Sequence, residues 1–305
     1  MDHEANLTLR KYGKSFYWAR FFLPQRISVP ATNLYDFCRL LDDIADGGVP
    51  GGIERLIDIE SQITGKVAIT ESKVNRFLEL VDTYTIDLEI IHQLLLGLMG
   101  DMSHDKNLIL SKSDLLRYCF RVAGTVGLMM APILGARDQS SYPFAIDLGI
   151  AMQLTNIGRD ILEDAQLGRR YIPADWCDGI APAEIIRISK DPNEIVLRKM
   201  LIQSVTKLLL LAGEYYKSGL AGLSYLPLQS HISMGIAAFI YREIGEKLKR
   251  KRYEWWQGRQ IVDGFGKINA SLSFIPQLKN RKILPIKHDY HLHKGLEGFP
   301  GVHLK

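Results

Sequence analysis

The 305-residue chain lacks the features that mark several common classes of protein. It has three cysteines, Cys38, Cys119 and Cys177, and this odd, scattered set excludes a disulfide scaffold and a paired-cysteine metal site. No apolar run approaches the ~20 residues that a membrane-spanning helix needs. The first residues also lack the apolar region of a signal peptide. We therefore expect a soluble protein of the reducing cytoplasm.

Strand signals are equally scarce, because no series of alternating segments bounded by Asn-Gly or Asp-Gly turns occurs. The net charge of +4 is mild, and no basic run follows a nucleic-acid backbone, so we expect no nucleic-acid partner. Helical spacing of apolar residues dominates instead. The expected helices cover residues 29–47, 53–64, 73–83, 86–103, 111–136, 142–165, 193–222 and 230–258. The sequence predicts one all-α domain over 1–305, with a core at about 8–275.

The last part of the chain, 276–305, is polar and rich in lysine. It contains the sequence HDYHLHK, in which His288, His291 and His293 could bind a metal ion. A solvated, poorly ordered tail is the alternative, and we prefer it because such segments are common outside a packed core.

The helix predicted over 142–165 carries a polar line on an otherwise apolar surface. Gln153, Asn156, Asp160 and Asp164 are three, four and four residues apart, which places them on one stripe. Carboxylates one turn apart repel each other unless a cation lies between them, and such oxygen ligands suit Mg²⁺ bound to phosphate. A solvated helix surface explains most single pairs of this kind, so this pair alone predicts no metal site.

A second stripe strengthens the case. Tyr35, Arg39, Asp42 and Asp46 are four, three and four residues apart on the first predicted helix. If the two helices face each other, four carboxylates lie around the mouth of one cavity. Buried like charges are costly, and Mg²⁺ ions with a diphosphate would compensate them.

Cations and small residues accompany the two stripes. Arg39, Arg159, Arg169 and Lys14 provide positive charge for phosphate oxygens, the arginines through paired hydrogen bonds. The apolar segment 118–135 contains small residues, which either allow close helix packing or leave volume for a ligand. With a charged mouth beside it, a tunnel for a hydrocarbon chain becomes a competing interpretation. The residues thus indicate a helical protein that binds a polyisoprenyl-like diphosphate through Mg²⁺.

These segments resemble the squalene/phytoene synthase family. The matching motifs are SFYWARFFLP (15–24), YDFCRLLDDIAD (35–46), YCFRVAGTVGLMMAPILG (118–135), QLTNIGRDILEDAQLGRRYIP (153–173) and IYREIGEKLKR (240–250). They cover most of the chain up to about residue 275. The third and fourth look most like bacterial phytoene synthases, whereas CRLLDDIADGG departs from the phytoene pattern and looks more like presqualene diphosphate synthases.

The resemblance implies an isoprenoid-synthase helical fold around a central cavity. It also implies a Mg²⁺-dependent (alternatively Mn²⁺-dependent) head-to-head condensation of two geranylgeranyl diphosphates to phytoene through prephytoene diphosphate, the first step of carotenoid biosynthesis. The alternative is condensation of two farnesyl diphosphates to presqualene diphosphate, squalene or dehydrosqualene. No NADPH is expected, and no Gly-rich nucleotide loop is visible. A non-catalytic subunit is a further alternative, but such members usually lose an aspartate pair.

Residue roles follow from motif position. The implied metal ligands are Asp42, Asp46, Asn156, Asp160 and Asp164. The implied catalytic residues are Tyr35, Arg39, Asp42, Asp46, Asp160, Asp164 and Tyr241. The implied substrate-binding residues are Lys14, Ser15, Phe16, Tyr118, Val122, Ala123, Val126, Gly127, Gln153, Asn156, Arg159 and Arg169.

Product chemistry adds an expectation about location. A long hydrocarbon cannot leave into water, so we expect peripheral contact with the inner membrane and, as a further hypothesis, contact with a downstream desaturase. The apolar segment 225–239 and the basic cluster KLKRKR at 247–252 are the candidate membrane surfaces.

Overall fold

The computed structural model describes residues 3–102, 109–281 and 283–302, and every regular element within them is helical. The α-helices are α1 (His3–Tyr12), α2 (Lys14–Arg20), α3 (Gln25–Ala45), α4 (Gly52–Ile63), α5 (Ser72–Tyr84), α6 (Leu88–Met102), α7 (Lys112–Cys119), α8 (Thr125–Ile133), α9 (Tyr142–Arg159), α10 (Ile161–Gln166), α11 (Pro182–Lys190), α12 (Ile195–Gly222), α13 (Leu228–Arg250) and α14 (Gly264–Phe274). Short 3₁₀ helices cover Gln139–Ser141, Ala174–Trp176, Leu223–Tyr225, Trp255–Gln257, Ile275–Asn280 and Tyr290–His293. The predicted all-α class is confirmed. Among the described helices, none combines the length and the apolarity that crossing a bilayer requires.

Local sequence explains where the site-bearing helices begin. Helix α7 starts with a capping box, in which the Ser111 side chain accepts from the Asp114 N–H and Asp114 accepts from the Ser111 N–H. Helix α9 has Pro143 in its first turn, where a missing N–H costs nothing. Asp263 caps α14 by accepting from the N–H of Gly266.

Helix α9 lies at the centre of the molecule and packs against α12, α8 and α13. Glycines allow this close packing. A Cβ atom at Gly127 would lie 2.2 Å from the carbonyl oxygen of Ala145, and one at Gly149 would lie 2.3 Å from that of Ala123. These small residues therefore serve the contact between neighbouring helices, which is one of the two roles left open by the sequence.

Two predicted helices are interrupted. The helix expected over 142–165 is two helices, because the backbone at Asp160 (φ −105°, ψ 19°) leaves the helical conformation between α9 and α10. Aspartate favours such breaks, since its side chain competes with the helical backbone for hydrogen bonds. The helix expected over 111–136 contains a π-helical turn, Phe120–Gly124, between α7 and α8. Turns of this type insert one extra residue and often accompany functional sites.

The interpretation of 276–305 as a solvated tail is wrong for several of its residues. His293, Leu296 and Val302 are fully buried. Nε2 of His288 lies 2.7 Å from one carboxylate oxygen of the buried Asp147, and Nε2 of His293 lies 2.8 Å from the other. Although burial opposes the change, these hydrogen bonds lower the pKa of Asp147. The histidines therefore attach this segment to the middle of α9.

Candidate active site

A cavity of about 590 Å³ lies between α2, α3, the π turn, α8, α9 and α13. This volume falls within the ordinary range for a small-molecule pocket. Fourteen of the residues implied by the motifs lie in its wall: Lys14, Ser15, Phe16, Tyr35, Arg39, Asp42, Val122, Ala123, Val126, Gly127, Gln153, Asn156, Arg159 and Tyr241. Residues that are more than 200 positions apart in the chain thus meet around one space.

The wall is apolar over most of its extent. The ring of Phe16 lies 5.4 Å from that of Tyr241 and 6.1 Å from that of Tyr35, so these aromatic residues form one side. Val122 and Ala123 come from the π turn, which places both in the wall. The part of the wall farthest along α9 from its polar residues is lined by Phe144, Ala145, Leu148, Gly222 and Leu223.

Of the two aspartate pairs, only Asp42 belongs to the cavity wall, whereas Asp46, Asp160 and Asp164 lie outside it, as does Arg169. Asp160 adjoins the wall, because it pairs with Arg159, which lines the cavity. Asp42 and Asp46 occupy the last turn and end of α3, while Asp160 lies between α9 and α10 and Asp164 lies on α10. Arg169 joins the two sides, because its Nη1 donates to Asp46 Oδ1 at 2.6 Å and its Nη2 donates to the carbonyl oxygen of Ala45 at 2.9 Å. The fold therefore brings the pairs to one region, as the sequence predicts.

Asp101, at the end of α6, is a fifth aspartate of this cluster that the sequence reasoning missed. The Tyr118 hydroxyl donates to its Oδ2 at 3.0 Å, and the Tyr118 ring stacks on that of Tyr171 at 4.5 Å. Tyr118, on α7, does not belong to the cavity wall. The expected substrate-binding residues of the π turn and α8 do belong to it. In the sequence, Asp105 follows Asp101 by four residues, which is the spacing of the other two pairs, so this signal was available and was not used.

The environment holds several of these carboxyls closer to their neutral form than usual. Burial, with repulsion from Asp46 and other neighbouring carboxylates, raises the pKa of Asp42 to about 7, although Arg39 opposes the change. Burial likewise raises the pKa of Asp101 to about 6. Burial and the charge of Asp160 raise the pKa of Asp164 well above its ordinary value. A charge balance without further cations is therefore incomplete.

Arginines occupy the same region and already pair with acidic residues. Arg159 donates to both oxygens of Asp160, at 2.6 Å and 2.5 Å, and Nε of Arg259 lies 3.0 Å from the same carboxylate. Arg39 pairs with Asp43 one turn farther along α3. Arg259 was missed by the sequence reasoning, because it lies in an irregular segment after α13 where no periodicity applies.

The oxygen atoms in this region are suitable ligands for a hard divalent cation. Among the described residues, the buried atoms Asn156 Oδ1, Asp101 Oδ1 and Glu163 Oε2 have no hydrogen-bond partner. Unpaired buried acceptors beside carboxylates of raised pKa are unfavourable in the protein alone. Carboxylate and amide oxygens are ligands that Mg²⁺ and Mn²⁺ accept, so these residues fit the expected metal.

A sequence model of the squalene/phytoene synthase family matches residues 9–264. The chain is 35% identical to a 15-cis-phytoene synthase of Enterobacter agglomerans over 261 residues, which cover 81% of this chain and 85% of that protein. It is 32% identical to a 15-cis-phytoene synthase of Pantoea ananas over 267 residues, covering 83% and 84% of the two chains.

Solved structures of similar proteins share the fold. A dehydrosqualene synthase in complex with a ligand superposes with a TM-score of 0.78 at 28% identity, covering 91% of this chain and 96% of that one. A squalene synthase of Alicyclobacillus acidocaldarius superposes with a TM-score of 0.65 at 19% identity, covering 82% and 93%. The cavity, its acidic end and these similarities lead to one conclusion: the chain belongs to the squalene/phytoene synthase family and is a prenyltransferase of the isoprenoid-synthase fold.

Proposed function

We propose that this enzyme condenses two geranylgeranyl diphosphates head to head, through prephytoene diphosphate, to phytoene in a Mg²⁺-dependent reaction, the first step of carotenoid biosynthesis. The observation that carries the proposal is one cavity whose polar end holds Asp42, Arg39 and Asn156 and whose remaining wall is largely apolar. Such a shape suits a substrate with a highly charged head and a long hydrocarbon chain. The 15-cis-phytoene synthases among its relatives support the product.

The chemistry assigns a role to each end of the cavity. In the first step, the C1–O bond of one substrate breaks, and its electron pair leaves with the diphosphate. The allylic cation alkylates the C2=C3 double bond of the second substrate, and loss of a proton closes a cyclopropane ring. The second diphosphate then leaves, the skeleton rearranges, and loss of another proton gives the central triene of phytoene.

Asp42, Asp46, Asn156, Asp160 and Asp164 would hold the metal in this proposal. Bound Mg²⁺ supplies Lewis-acid stabilisation of the departing diphosphate. Arg159 now pairs with Asp160, and Arg169 now pairs with Asp46. Each arginine would leave its aspartate when the diphosphate binds and would then donate two parallel hydrogen bonds to phosphate oxygens.

The apolar wall would protect the reacting carbons. Phe16, Val122 and Val126 exclude water, which otherwise captures the carbocation. Burial raises the pKa of both Tyr35 and Tyr241 above the ordinary value of 10.0, so these hydroxyls, which are neutral at pH 7, can donate hydrogen bonds. The departing diphosphate is the candidate acceptor of the lost protons, and a tyrosine hydroxyl would act as a relay that takes up a proton while it passes its own to the diphosphate.

A C30 product is the second candidate. It is favoured by the sequence CRLLDDIADGG and by the similarity to a dehydrosqualene synthase. Purified protein should be incubated with Mg²⁺ and either the C15 or the C20 diphosphate, with and without NADPH. We expect phytoene from the C20 substrate without NADPH, whereas a C30 hydrocarbon as the main product would overturn the assignment.

The remaining expectations concern location. The hydrophobicity of the product supports peripheral contact with the inner membrane. It also supports transfer to a downstream desaturase by direct contact, which cross-linking of the two proteins during turnover would test.

A further inference from the structure

Helix α14 presents an apolar stripe to solvent. Phe265, Ile268, Leu272 and Ile275 are three, four and three residues apart, so they lie on one side of the helix and its extension. Their side chains are 73%, 45%, 57% and 54% exposed, respectively. Single exposed apolar residues are ordinary, but a contiguous group of four on one helix indicates an interaction surface. We call these four residues the α14 stripe.

The helix itself is firmly attached to the molecule by its other face. Ala270 and Phe274 are buried, and Phe274 lies so close to Gly235 of α13 that a Cβ atom there would be 2.0 Å from its ring. Nε1 of Trp18 on α2 donates to Oγ of Ser271 at 3.2 Å. The stripe is therefore held outward by a rigid packing arrangement.

The segment that carries the stripe is net basic. Residues 263–281 contain Lys267, Lys279 and Arg281 against one acidic residue, Asp263, which caps α14. An amphipathic helix with exposed apolar residues and a net basic charge is typical of segments that lie in the interface of a bilayer with anionic lipids.

The stripe also lies beside the cavity. Ile261, Val262 and Lys267 belong to the cavity wall, and Lys267 Nζ donates to the carbonyl oxygen of Lys14 at 3.3 Å. The segment that carries the stripe thus borders the space where a prenyl chain would bind. A bilayer covering the stripe would meet this edge of the cavity without intervening bulk water.

We propose that the α14 stripe docks on an anionic lipid bilayer and orients the cavity edge toward the membrane. The use of this orientation for passing prenyl chains rests on the proposed function, whereas the docking itself does not. The membrane surface expected from the sequence, 225–239, does not serve, since residues such as Leu226 and Ile236 are buried.

Cosedimentation with vesicles of phosphatidylglycerol and phosphatidylcholine tests the docking, with vesicles of phosphatidylcholine alone as reference. The variant Phe265→Ser/Leu272→Ser should bind the anionic vesicles about 100-fold more weakly than the unchanged protein, at about tenfold for each apolar side chain. Lys279→Gln should weaken this binding about fivefold, and rising salt should weaken it further.

Ile195→Ser/Val196→Ser is the matched control, because these side chains are equally exposed but lie at the start of α12. It should bind vesicles like the unchanged protein. Equal binding by the stripe variant would overturn the proposal. The proposal would also be overturned if light scattering showed a dimer that only the stripe variant converts to a monomer, because the stripe would then bind a second copy of the chain.

A detergent assay separates this proposal from the proposed function. Vesicle binding without phytoene formation refutes only the product assignment, whereas phytoene formation in detergent without vesicle binding refutes only the docking. All variants change exposed residues, so equal thermal unfolding verifies that each is folded.

Discussion

Replacing Asp42 with asparagine should stabilise the metal-free protein at pH 8, although the same change should remove activity. The pKa of Asp42 is raised from 3.8 to about 7, so the folded protein binds a proton more tightly than the unfolded chain does. The resulting stability is present at low pH and is lost as the pH rises toward 7. At 1.36 kcal/mol per pH unit, the loss is at most about 4 kcal/mol, and screening by solvent at this partly exposed residue reduces it to about 2 kcal/mol.

Thermal unfolding in EDTA from pH 4 to pH 8 measures this effect. Asparagine resembles the protonated acid, so Asp42→Asn should melt at the same temperature as the unchanged protein only near pH 4 and below. Its advantage should grow as the pH rises from 4 to 7 and reach about 4 °C at pH 8. Added Mg²⁺ should raise the melting temperature of the unchanged protein only, and thereby reduce the difference. The reasoning is refuted if the variant is less stable at pH 8 in EDTA, because the carboxylate would then be stabilised by Arg39 rather than disfavoured by its surroundings.

Three further changes test other parts of the molecule. Arg169→Lys should lower kcat/KM at least about tenfold with little change in melting temperature. Lysine lacks the paired donors of arginine, one of which reaches Asp46 and both of which would bind the diphosphate. Unchanged kinetics would exclude this role. Ala145→Phe should reduce use of the C20 substrate about tenfold relative to the C15 substrate by shortening the cavity, whereas Ala145→Ser should not, and an equal loss for both substrates would contradict it. Asp147→Asn should destabilise the protein by about 3 kcal/mol at pH 7 in urea unfolding. Because the pKa of Asp147 is lowered, its carboxylate stabilises the folded protein above about pH 4, and this difference should shrink as the pH falls below that value. A constant difference would show that the charge of Asp147 does not cause it.

Local spacing was sufficient to predict the parts of the site that lie on single helices. Tyr35, Arg39 and Asp42 share one side of α3, and Gln153 and Asn156 share one side of α9. In both helices the apolar residues on the other sides pack into the core, so the spacing of the apolar residues and that of the polar residues predict the same orientation of the helix. The all-α class follows from the same periodicity.

Features that depend on contacts between distant segments were not predictable in this way. Asp101 belongs to the acidic cluster only because α6 ends beside Arg169, and Arg259 reaches Asp160 from an irregular segment. The break at Asp160 and the π turn at 120–124 are local, yet they leave the apolar pattern unchanged on either side. Amphipathic α14 was missed because its stripe faces solvent, where apolar spacing would not be expected.

The contact between Asp147 and the two histidines has a consequence for how the chain is made. Asp147 belongs to the helix that carries Asn156, but its partners His288 and His293 follow it by 141 and 146 residues. During synthesis, the central helix can form long before the groups that compensate its buried carboxylate have left the ribosome. Completion of the core around α9 must therefore await translation of this late segment. A message cut short before codon 288 would yield a chain with every expected metal ligand but an uncompensated charge in its centre.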